Sequence, residues 1–110
     1  MADVTHYTYR VAWSAEDKEH VATVLEFPSL SWLESDSLAA LQGIQQLVAE
    51  VVADLEASGQ DVPAPISERN YSGRFNLRVP PALHGRLAME AAEEHVSLNS
   101  LVVRKLAAIA

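Results

Sequence analysis

The sequence predicts an α+β chain in two parts. A three-stranded antiparallel sheet is crossed by one long helix, and a strand–helix–helix tail follows that dimerises through an intermolecular β-ribbon. Three observations carry this. Tyr7, Tyr9, Val11 and Trp13 alternate with smaller or polar residues, the pattern of a half-buried strand. Apolar residues between Leu41 and Leu55 recur at helical spacing. Arg74–Val79 alternates strictly, with Arg74, Asn76 and Arg78 on one face and Phe75, Leu77 and Val79 on the other, and two further helical stretches follow it.

Taken in order, Tyr7–Trp13 is the first expected strand, Ser14–Glu19 a polar turn, His20–Phe27 a second strand closed by Pro28, and Leu30–Glu34 a short third. Ser35, Asp36 and Ser37 supply the side chains preferred at a helix start. The helix they open has Leu41, Ile44, Leu47, Val48, Val51, Val52 and Leu55 as its stripe, and Gly59 stops it. Apolar periodicity then disappears, and Pro63 and Pro65 stiffen a linker. The expected domains are residues 1–62, a linker at 63–68, and residues 69–110.

Pro80 ends the strand of the tail because it cannot donate to a ladder. Pro81 suits a helix's first turn, and Leu83, Leu87 and Ala91 carry that helix to about Glu94. Ser97 reads as the N-cap of a last helix over Leu98–Ile109. A lone seven-residue strand is not stable in water. With no matching strand nearby, Arg74–Val79 is expected to pair with its own copy in a second chain. Phe75, Leu77 and Val79 then form the ribbon core. Arg74, Asn76 and Arg78 face outward, and Arg and Asn are the usual bidentate readers of guanine and adenine in a major groove that admits a two-stranded ribbon.

The phrase Arg74-Phe75-Asn76-Leu77-Arg78-Val79-Pro80, followed by Ser97-Leu98-Asn99-Ser100, resembles the ribbon-helix-helix repressors of the Arc and MetJ type. The longer run Tyr71–His84 is similar to the HicB antitoxins that carry such a tail. The resemblance is specific over Tyr71–Ala107 and collinear but weaker over Tyr7–Ile66. One departure is visible: the turn between the helices usually has Gly, and this chain has His95. For the body, the resemblance implies a degenerate ribonuclease H-like fold that binds a HicA-like, messenger-RNA-cleaving toxin. For the tail, it implies homodimerisation and binding to double-stranded operator DNA. Arg74, Asn76 and Arg78 would contact bases, and Ser97, Leu98 and Asn99 would hold phosphate. Assembly as a dimer or a tetramer is consistent with it, and no cofactor, metal or catalysis is implied.

Charge divides the chain at the same place. Residues 1–68 hold twelve acidic and two basic residues, and residues 69–110 hold six basic and three acidic ones, within a net charge of −7. A basic tail suits phosphate and an acidic body suits a basic partner. The chain has no Cys, which fits a reducing cytoplasm and excludes disulfides and thiolate metal sites. Met1–His6 has no basic region and no apolar run, so no signal peptide is expected, and no stretch approaches a membrane span in length.

Catalysis is the weakest reading. Asp3, Glu16, Asp17, Asp36 and Asp54 are available to a two-metal nuclease, but no strand carries an Asp at its centre facing a helix-borne acid, and Asp3 falls in an expected frayed end. His6, His20, His84 and His95 lack metal-ligand spacing, and no Ser near them sits in a nucleophile-elbow context. Trp13 and Trp32 are expected in the sheet's core, with partner anchoring as the alternative. The function that the resemblance implies is that of a type II antitoxin that also represses its own operon. The alternative is a stand-alone ribbon-helix-helix regulator whose body binds another ligand or drives oligomerisation.

Overall fold

The computed structural model describes residues 3–110; the part of the expected N-terminal body formed by Met1 and Ala2 lies outside them. The elements are β1 (Tyr9–Ser14), β2 (Glu19–Val24), β3 (Ser31–Glu34), α1 (Ser37–Ala57), α2 (Pro81–Glu93) and α3 (Leu98–Ile109). The chain is α+β and falls into two compact units, divided between Tyr71 and Ser72.

The first unit is one antiparallel sheet, in the order β1-β2-β3, with α1 packed across it. Val11, Ala22 and Trp32 align across the three strands, as do Ala12, Val21 and Leu33. Strand side chains alternate between faces, so the first row faces α1 and the second faces away. Asp36 caps α1 by accepting a hydrogen bond from the Ala39 N–H at 2.9 Å, and Gly59 follows the helix at φ +70°. Ala40, Ile44, Val48 and Val52 form its buried line, packed with Tyr7, Ala22, Val24 and Phe27. By length and composition α1 could cross a membrane, which corrects the expectation that no stretch could. Its apolar line is spent on the sheet instead.

Four differences from the sequence reading accompany the satisfying of polar groups near the core. The first strand begins at Tyr9, because Val4–His6 forms a 3₁₀ turn that places Tyr7 in the core, edge-on to Phe27 at 5.3 Å. Asp3 is not frayed: it caps that turn, accepting from the Thr5 N–H at 2.9 Å and the Thr5 hydroxyl at 2.6 Å. The Thr5 hydroxyl, with its N–H, holds the Asp3 carboxyl below its ordinary range.

The second strand ends at Val24 rather than Phe27, because Glu26 turns its carboxylate inward. Oε1 accepts from the Thr8 N–H at 2.9 Å, and Oε2 accepts from the Thr8 hydroxyl at 3.1 Å and the Ile66 N–H at 2.9 Å. Residues 63–68, expected as a linker, therefore lie on the first unit. The Tyr7 hydroxyl donates to the Pro63 carbonyl at 2.8 Å, His6 pairs with Glu68, and the Tyr71 hydroxyl donates to the Ile66 carbonyl at 3.1 Å.

In the second unit, α2 and α3 meet through a turn built on His95 at φ 58°. The Val96 N–H bonds to the Ala91 carbonyl at 3.0 Å and the His95 N–H to the Ala92 carbonyl at 3.2 Å. That pair of bonds is a Schellman motif, with His95 in the left-handed position that glycine fills most readily. Ala91 and Leu101 are the unit's fully buried apolar residues.

Two predictions follow from these contacts. His95→Gly removes the Cβ penalty of the left-handed turn and should stabilise the second unit by about 0.5–1 kcal/mol, read as a higher denaturation midpoint. Burial pushes the Glu26 carboxyl upward, but the bonds from Ile66 and Thr8 outweigh it and leave the group below its ordinary value of 4.5. A depressed folded-state pKa gives stability that is present above the unfolded value and lost as pH falls through the folded one. The first unit should thus weaken below pH 4.5, and Glu26→Gln should cost about 1–3 kcal/mol at neutral pH while flattening that acid loss.

Candidate nucleic-acid interface

Residues 72–80 precede α2 and belong to neither helix nor strand. The alternation of the sequence does not appear as alternating burial. Phe75 is 77% exposed and Leu77 58%, Val79 is half-buried, and Arg74, Asn76 and Arg78 are exposed. A strand requires a ladder, and among the described residues no other segment pairs with this one. The intermolecular ribbon accordingly remains an expectation, and the single chain leaves its apolar set uncovered.

These side chains border a cleft of about 600 Å³ inside the second unit. Phe75, Leu77 and Val79 line one side, and Leu87 of α2 with Leu98 and Val102 of α3 line the other. Asn99 lies on the same cleft and also on a second one beside Arg74 and Asn76. Two sets of expected contacts, Arg74–Arg78 and the start of α3, are thus brought together around Asn99.

At that helix start, the Ser97 hydroxyl accepts from the Ser100 N–H at 3.0 Å, and the Ser97 carbonyl accepts from the Leu101 N–H at 3.0 Å. The N–H groups of Leu98 and Asn99 lie in the first turn, where no intrahelical acceptor exists. Positive helix-end potential and two such donors suit an anion.

Three of the six basic residues are committed elsewhere. Arg69 Nε donates to the Ala64 carbonyl at 3.0 Å. Arg104 pairs with Glu94 at 2.6 Å and Lys105 with Glu90 at 3.1 Å, binding α3 to the end of α2. Both pairs are partly exposed and contribute roughly 0–1 kcal/mol each. Among the described residues the side chains of Arg74, Asn76, Arg78 and Arg86 have neither an ion-pair nor a hydrogen-bond partner.

Three of the five acidic residues considered for catalysis take separate structural posts. Asp3 and Asp36 cap turns, and Asp17 accepts from the Ser14 hydroxyl at 3.0 Å. Among the described residues no three His, Asp or Glu side chains are grouped to hold a metal ion. Glu26, the buried acid, was not singled out by the sequence, since its donors lie far from it in the chain.

Residues 58–106 match the HicB family. The match covers the connecting segment, the 72–80 stretch, α2 and most of α3. No curated protein matches the chain, and no solved structure does.

If Phe75 and Leu77 are covered by a second copy, Leu77→Asp places an unpaired charge in that interface twice. It should leave the first unit folded and abolish self-association in sedimentation, whereas Arg78→Ala should not.

Proposed function

We propose that this chain is an antitoxin with two jobs held in two units. The first unit binds and neutralises a HicA-like toxin that cleaves messenger RNA. The second dimerises through residues 74–79, as a ribbon-helix-helix, and represses its own operon by binding operator DNA.

The observation that carries the reading is the 74–79 segment: apolar Phe75 and Leu77 exposed over an apolar cleft, interleaved with Arg74, Asn76 and Arg78. A unit with Ala91 and Leu101 as its closed core has little to hold it alone. A second copy offering the same segment would supply both the missing ladder and the cover. Its two-fold symmetry doubles the Arg–Asn–Arg row on the opposite side, in a size and charge suited to the major groove. Ser97, Leu98 and Asn99 would then clamp a backbone phosphate and set the ribbon's register. No cofactor enters this mechanism, and it contains no catalytic step. The HicB match over the same residues supports the antitoxin class. The acidic first unit, with twelve acidic and two basic residues to residue 68, supports pairing with a basic, RNA-handling protein.

Base contacts and phosphate contacts separate under salt. Asn76→Ala and Arg78→Ala should each lower operator affinity by about 1–3 kcal/mol per contact and leave random-sequence DNA nearly untouched. Ser97→Ala should weaken both mildly and reduce the salt slope. Titration of operator and random duplexes at several salt concentrations reads this, with co-expression beside the neighbouring small open reading frame as the test of neutralisation. Wild-type selectivity in a folded Arg74/Asn76/Arg78 triple-alanine variant would remove the ribbon as reader. Failure to protect cells with DNA binding intact would leave a stand-alone regulator.

A further inference from the structure

We propose that the end of the sheet carrying Trp13, His20 and Glu34 is the docking surface for an arginine- or lysine-bearing face of a partner protein. The partner's identity as the toxin rests on the function proposed above; the surface itself rests on the following geometry.

Trp13 stands opposite His20, and His20 opposite Glu34. The three side chains therefore form one row on the same face, spanning roughly 10 Å across three strands. Trp13 is 57% exposed, against the sequence expectation of a core residue, and its ring meets His20 edge-on at 5.1 Å. It sits on an edge strand, one row before the Ser14–Glu19 pair that closes the ladder at the β1–β2 turn. Trp32 is not fully buried either, at 38% exposed.

Trp32 explains how Glu34 is held. Its indole N–H donates to Glu34 Oε1 at 3.0 Å. The ring lies so close on α1 that a Cβ at Gly43 would fall 2.0 Å from Nε1. A glycine in mid-helix weakens the helix, and here it makes room for an indole that fixes a carboxylate. Glu34 keeps acceptor capacity for an incoming cation.

The surroundings have the same sign. Glu16 and Asp17 lie in the β1–β2 turn, Glu19 starts β2, and Asp36 caps α1 at this same end of the sheet, with Lys18 as the local cation. Leu38, in the first turn of α1, is 61% exposed. An exposed indole beside a preset carboxylate suits a guanidinium, which stacks on the ring and donates to the acid. Trp is also among the residues enriched in binding hot spots. Phosphate-bearing partners are repelled by the same acids, which points to a basic protein.

The test uses purified full-length protein with Trp13→Ala, Glu34→Gln and, as a charge control, Glu56→Gln at the far end of α1. Two probes are titrated: the purified product of the neighbouring small open reading frame, by calorimetry, and a labelled oligoarginine peptide, by anisotropy. Trp13→Ala and Glu34→Gln should each weaken both probes by about tenfold, Glu56→Gln by less than about twofold, and Trp13→Phe should recover most of the loss. Circular dichroism checks that each variant is folded. If the neighbouring product binds wild type and the two site variants equally, the surface is overturned while the toxin reading stands. If that product does not bind at all but the peptide shows the tenfold losses, the toxin reading falls and the cationic docking surface stands. Equal weakening of the peptide by all three variants means general charge attraction and overturns the surface.

Discussion

The Glu26 carboxylate is the interaction on which the first unit's closure depends. A carboxylate this buried is costly unless its oxygens are occupied. Here the donors come from Thr8, before β1, and from Ile66, beyond α1. One side chain therefore joins three stretches that are distant in sequence. It stops β2 early, turns the chain toward β3, and draws the proline-containing segment onto the body. Tyr7 and His6 add to the same seam by bonding Pro63 and Glu68. The division of the chain consequently falls after Tyr71 and not at the prolines.

The two units handle apolar surface in opposite ways. In the first, α1 lays Ala40, Ile44, Val48 and Val52 on the sheet and leaves no buried side-chain donor or acceptor unpaired among the described residues. In the second, Phe75, Leu77, Val103 and Leu106 stay exposed around two helices. Folding two short helices alone buries too little area to offset the entropy of ordering them. A surface of this kind is the ordinary mark of an interface. The charge division reinforces the separation, with the free Arg side chains on the uncovered segment and the acids concentrated on the sheet-bearing unit.

Local chemistry made much of this legible. Asp36 and Ser97 as N-caps, Pro81 in a first turn, Gly59 after α1 and the Leu41–Leu55 stripe act within a few residues of themselves, so they placed all three α-helices nearly to the residue. The turn at His95 stood out only against the family resemblance, as a residue where Gly is usual. The Arg74–Val79 alternation stood out in the sequence but gained no ladder in the single chain, because a strand is defined by its partner and not by its own residues.

Composition and periodicity by themselves determined the fold class, the helices, the charge division and the tail segment with its two sets of side chains, since each depends on neighbours along the chain. Only tertiary structure decided that Glu26 is buried and Trp13 is not. Glu26 is tolerated inside because Thr8 and Ile66 arrive there with donors. Trp13 is left outside because it stands on an edge strand, near the end that meets the β1–β2 turn. Burial is set by what other segments bring to a position, and no local pattern records their arrival.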